Sequence, residues 1–406
     1  MRLLHLSLVN YRNYVRLELD FPTRITLLQG ANAQGKTNLL EAIHYLATGR
    51  ALQAGAEREL VNWLALEEPL PHARAAAEII HDHQKEKLEI TLLPVNGPGA
   101  QMNFRKHVRI NGVARRAIDL VGHLRVVLFV PQDIELVAGA PGHRRRYLDI
   151  ALCQMHPAYC RALAQYNQVL AQRNALLRAL RDQGGSPGQL RFWDEQLAEH
   201  GALIIAERQR FIAHLDMEAR ARHRELTGGR EHLQLHYLPS FDPIYQPGGG
   251  QPPLAFSEGI SSDFPPREEI ASRFLTHLRA SHERDIAAGM TLTGPHRDDM
   301  RFSVGGRDLR VYGSRGQQRT ATLALKLAEV QVMTQETDEP PVLLLDDVMS
   351  ELDDTRRQAL LGALDGVAQA VITTTDWDDF TPAFRAQARL LRVSNGRVEE
   401  LSPDDI

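Results

Sequence analysis

The stretch GANAQGKT, residues 30–37, leaves few folds open to this chain. It fits G-x-x-x-x-G-K-[ST], follows the buried-strand pattern RITLLQG, and opens onto NLLEAIHYLATG, which reads as a helix ending near Gly49. A glycine-bounded loop between a strand and a helix aims successive backbone N–H groups at one point, where the positive helix end also favours an anion. In that arrangement the backbone of Gly30, Ala31, Asn32, Ala33, Gln34 and Gly35 cradles phosphates, Lys36 reaches the β- and γ-phosphates of ATP, and Thr37 ligates Mg²⁺. Only five of the 47 basic residues are lysines, yet one stands at 36, where a compact ammonium fits and a planar guanidinium does not.

The complementary stretch is PVLLLDDVMSELD, residues 341–353. Four apolar residues make a buried strand, and two carboxylates emerge at its C-terminal end, the edge where α/β sheets place ligands. Asp346 suits a place near Mg²⁺. Asp347 suits orienting or deprotonating an attacking water, which makes it the candidate catalytic residue. Acids capping a strand end are commonplace alone; beside a P-loop they read as its partner. Because 310 residues separate Lys36 from Asp346, a large insertion splits the α/β head. The expected division is head residues 1–140 with the P-loop, a helical arm over 141–289, and head residues 290–406.

The pattern along the chain fits that division. LLHLSLVN, a polar turn at YRNY, and VRLELDFP read as a β-hairpin, with short strands expected at 76–81, 87–94, 107–113 and 125–131. From about 141, apolar residues recur at helical spacing over some forty residues, broken near Pro157. A turn at 184–188 leads to a second helical stretch over 189–226. Residues 239–267 read as loop, 267–288 as helix, and MTLTGPHRDDMRFSVGG as a return to strand.

YGSRGQQRTATLALKLAEV, residues 312–330, sets a polar loop against a long apolar-periodic helix. Leu323, Leu325, Leu327, Val330 and Val332 need a core. Ser314, Gly316, Gln317 and Gln318 instead offer hydrogen bonds at a helix N-terminus, a place that binds anions. The loop reads as built to hold a phosphate.

The net charge of −4 argues against a uniformly basic nucleic-acid binder, but the distribution is uneven. Residues 101–125 carry Arg105, Lys106, Arg109, Arg115, Arg116 and Arg125 against the single acid Asp119, and Arg144, Arg145 and Arg146 follow. Such a basic sector suits a phosphate backbone, and a solvated surface explains the charge equally well. Cys153 and Cys160 read as core residues on one helix face. No apolar run approaches the roughly 20 residues that cross a bilayer, and a cytoplasmic protein is expected.

A split P-loop head, a signature loop before a helix, a strand ending in paired acids and SELD just after it resemble the parts of an ABC-type ATPase of the SMC-like branch. Within that branch LVNYRNY, GANAQGKTNLLEAI, HRRRYLDI, YNQVLAQRNALL, TGPHRDD, YGSRGQQR and LLLDDVMSELD are similar to the RecF family of bacterial recombination and gap-repair proteins. These stretches span nearly the whole chain. The resemblance implies that two heads sandwich ATP, and that Ser314, Gly316 and Gln317 of one serve the γ-phosphate bound by the other. It implies that Gln132, in VPQDIELV, lies near Mg²⁺ and the attacking water, that Asp353 faces the partner subunit, and that Thr375 takes the γ-phosphate sensor place. Ala33 stands where such loops usually have glycine.

The function implied is ATP-dependent DNA binding in repair, recombination, replication and the SOS response to DNA damage. An ATP-driven homodimer would clasp duplex DNA near a single-strand gap, aid RecA loading with RecO and RecR, and be released by weak, DNA-stimulated hydrolysis. Two alternatives fit less well. A transporter ATPase subunit would carry L-S-G-G-Q and a histidine at 375, without so large an insert. A small-metabolite kinase would not need the signature loop.

Overall fold

The computed structural model describes residues 1–52, 55–95, 102–241 and 264–402. The chain forms two compact units, Met1–Asp133 with Lys326–Ile406, and Ile134–Leu325.

Period-two alternation builds the first strands. β1 (Arg2–Tyr11) turns at Arg12 and Asn13 into β2 (Tyr14–Asp20), with Leu6 opposite Leu19 and Leu8 opposite Leu17 on the buried face. β3 (Ile25–Gln29) runs through the P-loop into α1 (Lys36–Thr48), which ends at Gly49, φ 63°, whose N–H caps the Tyr45 carbonyl. β4 (Ala73–His81), β5 (Gln84–Pro94), β6 (Phe104–Ile110) and β7 (Val113–Arg115) extend the hairpin into an antiparallel sheet of order β2-β1-β4-β5-β6-β7. β8 (Val126–Phe129) is buried at all four residues, the pattern of a strand covered on both faces.

The long helices of the second unit are α2 (Pro141–Met155), α3 (Pro157–Gln183) and α4 (Arg191–Leu226). Pro157 starts α3, where its missing N–H costs nothing, so Cys153 and Cys160 lie on successive helices and not on one continuous face. β9 (Leu233–Leu238), α5 (Arg267–Ala280), β10 (Asp299–Val304) and β11 (Arg307–Asp308) follow, with β10 between β9 and β11. Most of the segment read as loop, 242–263, lies outside the described residues. β10 begins at Asp299, so the strand expected from 290 occupies only the end of its stretch. The unit reaches Leu325 and takes in residues 290–325, which the sequence placed with the head. Pairing of β10 with β9, Phe302 opposite Leu235, accounts for that grouping.

α6 (Arg315–Thr337) carries the chain back to the first unit. There β12 (Val342–Asp346), α7 (Asp354–Ala363), β13 (Ala370–Thr374), β14 (Arg389–Ser394) and β15 (Arg397–Glu400) complete a second sheet of order β15-β14-β3-β13-β12-β8. β14, β3, β13, β12 and β8 are parallel, so β3 and β12 end on the same edge with only β13 between them. The fold is thus α/β, an ABC-type P-loop head split by a mainly helical insertion.

Buried ion pairs hold the second unit. The fully buried Arg173 donates to Asp194 Oδ1 at 2.8 Å and, through Nη1, to Asp285 Oδ2 and Thr291 Oγ1, both at 2.7 Å. Arg208, buried among α2, α3 and the TGPHRDD stretch, donates to Tyr159, to Asp149 and to the Pro295 carbonyl. Breaking such a pair strands a charge in a low-dielectric interior, at about 3–5 kcal/mol. Asp194→Ala is therefore expected to destabilise the protein by about that amount, with the loss seen as a lower midpoint in urea unfolding; an unchanged midpoint would show that Arg173 is already satisfied elsewhere.

Candidate phosphate-binding site

Residues 31–38 line one cleft together with Asp346 and Asp347. The parallel sheet explains the meeting: the loop after β3 and the acids ending β12 emerge from the same edge. Gly35 sits at φ 117°, and a Cβ there would meet the Asn13 side-chain amide at 2.5 Å. At Gly30 a Cβ would meet the Val393 carbonyl oxygen at 2.4 Å. Both framing glycines are therefore required by close approach. Ala33 adopts φ 64°, a left-handed conformation that costs an L-residue about 1–2 kcal/mol, which is why glycine suits this position.

Lys36 is buried, and its Nζ donates to the carbonyls of Gly30 and, at 3.1 Å, of Ala31. Burial lowers its pKa, opposed by the charges of Asp347 and Asp346. Thr37 Oγ1 lies 2.7 Å from Asp346 Oδ2 and 3.0 Å from Oδ1, and Thr373 Oγ1 donates to that Oδ1 at 2.9 Å. Asp347 stands at φ 49°, its N–H given to Thr373 Oγ1 at 2.9 Å. Burial raises the Asp347 pKa above 3.8; Lys36 opposes this, while Asp346 and Asp379 add to it. Its Oδ1 is buried with no hydrogen-bond partner among the described residues.

A hydroxyl and a carboxylate in contact beside a nest of N–H groups fit a divalent cation that keeps phosphate and water oxygens for its other positions, as Mg²⁺ does. No group of three or more His, Cys, Asp or Glu suited to a metal occurs among the described residues. Thr37 and Asp346 would hold such an ion only together with a phosphate. Asp347, beside them, keeps one carboxylate oxygen without a hydrogen-bond partner among the described residues.

The P-loop is clamped by residues that the sequence reading passed over. Asn13 Nδ2 donates to the Gln34 carbonyl at 2.9 Å, and Asn13 Oδ1 accepts from Asn38 at 2.8 Å. The Tyr14 hydroxyl donates to the Gly35 carbonyl at 3.0 Å. From the other side the Gly396 and Asn395 amides reach the backbone and side-chain oxygens of Gln34, at 3.0 and 2.8 Å. Arg12 forks onto Glu41 of α1 and caps the Glu59 carbonyl. The polar YRNY turn was the available signal, and it pointed only to a turn.

Of the candidates in the first unit, Gln132, Asp353 and Thr375 are not among the lining residues, though the Thr375 backbone N–H faces the Asp347 carboxylate. Gln132 is exposed just after β8, the strand beside β12. Asp353 caps α7, accepting from the Arg356 amide and pairing with its guanidinium. Thr375 follows β13, and its carbonyl accepts from Gln29 at 3.1 Å. In the second unit, Ser314 and Gln317 form a reciprocal capping box at the start of α6: Ser314 N–H to Gln317 Oε1 at 2.9 Å, Gln317 N–H to Ser314 Oγ at 3.2 Å. Gly316 lies between them. Gln318 is buried and donates to the Leu309 carbonyl, so it holds the loop's shape.

The basic candidates divide. Arg105 and Arg109 point outward from β6 and are exposed. Lys106, between them, points inward, pairs with Glu57 at 2.6 Å and donates to the Gly49 carbonyl, so it is a structural link and not a surface contact. Arg144 is corrected likewise: it is 2% exposed, forks onto Asp299 at 2.6 and 2.9 Å, and cannot reach a ligand outside. Arg145 donates to the Asp298 carbonyl at 2.8 Å, and Arg146 is exposed.

A P-loop, paired acids ending a parallel strand of the same sheet, an antiparallel sheet and a helical insertion before a capped signature helix define an ABC-type ATPase head of the SMC-like branch. The chain matches the family described as RecF/RecN/SMC N terminal domain over residues 2–398. It is similar to the DNA replication and repair protein RecF of Herpetosiphon aurantiacus, 42% identical over 405 residues, covering 97% of this chain and 98% of that protein. The RecF of Chloroflexus aurantiacus is 44% identical with the same coverage. The chain belongs to the RecF family. A solved structure described as the recombination mediator protein RecF-ATPrS in the RecFOR pathway superimposes with a TM-score of 0.83 at 33% identity, covering 99% of this chain and 98% of that one. The SmcHead bound to the C-winged helix domain of ScpA, 14% identical with a TM-score of 0.53, shares the fold.

Asn13→Ala removes two hydrogen bonds from the P-loop clamp, each contributing about 1 kcal/mol. Nucleotide affinity, measured by calorimetry, is expected to fall roughly 5- to 30-fold while the unfolding midpoint shifts little. Unchanged affinity would mean that Tyr14 and the 395–396 turn suffice.

Proposed function

We propose that this protein is an ATP-dependent DNA-binding switch of recombinational gap repair. ATP and Mg²⁺ drive two copies together, the dimer holds duplex DNA near a single-strand gap, and slow hydrolysis, stimulated by DNA, releases it. By family resemblance it acts in the bacterial cytoplasm with RecO and RecR to aid RecA loading. The observation that carries the reading is the contact of Thr37 with Asp346 beside the orphaned, half-buried Asp347 carboxylate. A hydroxyl–carboxylate pair at a P-loop supports Mg-nucleotide binding, and a second carboxylate with an unused oxygen supports a water-orienting base.

Each residue has a distinct task in this reading. Backbone N–H groups of residues 31–37 cradle the phosphates. Lys36 leaves the Gly30 and Ala31 carbonyls for the β- and γ-oxygens. Mg²⁺ supplies charge neutralisation of the phosphates when bound. Asp347 accepts a proton from, or orients, the attacking water, and Thr375, at the end of the strand beside β12, senses the γ-phosphate. Gln132 and Asp353 complete the closed site, and Ser314 with Gly316 serves the nucleotide of the second copy. Arg105, Arg109 and Arg146 are the proposed phosphate-backbone contacts, non-specific in sequence and weakened by salt.

Asp347→Asn is expected to bind ATP and dimerise but hydrolyse at least about a hundredfold more slowly, the usual scale for a positioned base. In the wild type the base must be ionised. Because its pKa is raised, hydrolysis should fall as pH drops through a value above 3.8, measured in steady state. Loss of ATP binding in the variant would reverse the roles of the two acids.

Ser314→Arg is expected to bind ATP as a monomer yet fail to dimerise, because a long cationic side chain would occupy the docking point of the partner's γ-phosphate. Mixed with Lys36→Met, it should regain part of the activity, since one composite site then carries neither defect. If heterodimers form and remain inactive with ATP bound at the intact site, the signature loop does not act in trans.

A further inference from the structure

The signature loop is held by a residue from elsewhere in the second unit. Gln317 Nε2 donates to Glu231 Oε1 at 2.9 Å. Glu231 lies between α4 and β9, 86 residues away in sequence, and its Oε2 stands 3.8 Å from the buried His223 Nε2 at the end of α4. The Gln317 amide is thus engaged at both ends, its oxygen on the Ser314 N–H and its nitrogen on Glu231.

This wiring determines which signature atoms can serve a ligand. The oxygen of Gln317 is occupied within the capping box and its nitrogen is directed at a carboxylate. Ser314 Oγ accepts the Gln317 N–H through a lone pair, which leaves its own O–H as a donor that no described residue accepts. Ser314 is exposed, whereas Gln317 is half-buried. The group free to donate to an anion is therefore the serine hydroxyl, and the glutamine orients it. An amide flip of Gln317 would set its oxygen against Glu231 and its NH₂ against the Ser314 N–H, losing both bonds, and Glu231 forbids it.

We infer that Glu231 is a positioning residue of the signature loop: by holding Gln317 in one amide orientation it preserves the capping box and keeps the Ser314 hydroxyl turned outward, toward the phosphate of a nucleotide bound by a second copy of this chain. The inference rests on the in-trans reading proposed above and adds to it a residue outside the signature motif. Gln317 acts through Ser314, not on the phosphate directly.

The test measures ATP-dependent dimerisation of the full-length protein by analytical ultracentrifugation with Mg-ATP, alongside ATP affinity of the monomer and the thermal midpoint. Glu231→Ala should raise the ATP concentration that half-saturates dimerisation roughly tenfold, the effect of losing one charge-assisted hydrogen bond, with monomer ATP affinity unchanged. Glu231→Gln retains an acceptor oxygen and should stay within about twofold of wild type. Ser314→Ala serves as the reference. If Ser314→Ala is defective and Glu231→Ala is not, the positioning role is overturned while the in-trans reading stands. If Ser314→Ala dimerises normally, the in-trans reading fails and this inference with it. Should Glu231→Ala not fold, the exchange E231Q/Q317E decides. It keeps the Ser314 N–H bond to residue 317 and restores the 231–317 bond with donor and acceptor exchanged, whereas Gln317→Glu alone sets two carboxylates together. A folded double variant that dimerises better than Gln317→Glu supports the role, and one that does not overturns it.

Discussion

Thr37 Oγ1 lies within hydrogen-bond reach of both oxygens of Asp346, and Thr373 Oγ1 is a second hydroxyl donor to the same carboxylate. These contacts tie the start of α1 to the ends of β12 and β13, three elements far apart in sequence. They depend on the parallel order β3-β13-β12, which brings the three C-terminal strand ends to one edge. If β12 were antiparallel, its acids would leave from the opposite edge and the P-loop would have no cation partner. The head's chemistry therefore rests on strand direction, and the apolar runs ITLLQ, VLLLD and AVITT secure it by demanding burial on both faces.

Around that contact the loop is immobilised by groups with little chemistry of their own. Asn13, Tyr14, Asn395 and Gly396 satisfy the Gln34 and Gly35 oxygens, and Arg12 anchors the hairpin turn to α1 through Glu41. A nest of N–H groups binds phosphate well only if its carbonyls are held elsewhere, because a loop free to rearrange would lose binding free energy to ordering. The positive φ of Ala33 and Asp347 belongs to the same economy of shape: local strain is kept where surrounding bonds over-determine the backbone.

The second unit uses charge differently. Arg173, Arg208 and Arg144 are buried and paired with Asp194, Asp285, Asp149 and Asp299. The run Arg144-Arg145-Arg146 reads in sequence as one basic patch, but helical periodicity turns its members to different surroundings. Only Arg146 of the three is exposed. TGPHRDD, which carried resemblance without an assigned task, supplies Asp298 to Tyr237 and to the Ser240 amide, Asp299 to Arg144, and the Pro295 carbonyl to Arg208. Its acids and carbonyls hold helices and strands together.

By itself, the sequence determined the α/β head, the P-loop with its strand and helix, the paired acids ending a buried strand, the long insertion and the family. Those features depend on periodicity and on local spacing, which a single chain displays directly. It did not show β9, whose six residues are too few for a decisive period and which forms because β10 offers a partner. Nor did it show the Asn13 clamp, the inward turn of Lys106, the burial of Arg144 or the Glu231 contact to Gln317. Each of these joins residues distant in sequence, and whether a charged side chain faces water or a buried acid is set by what packs against it. Only the tertiary structure decided that, because a long polar side chain has many partners available and burial leaves it one.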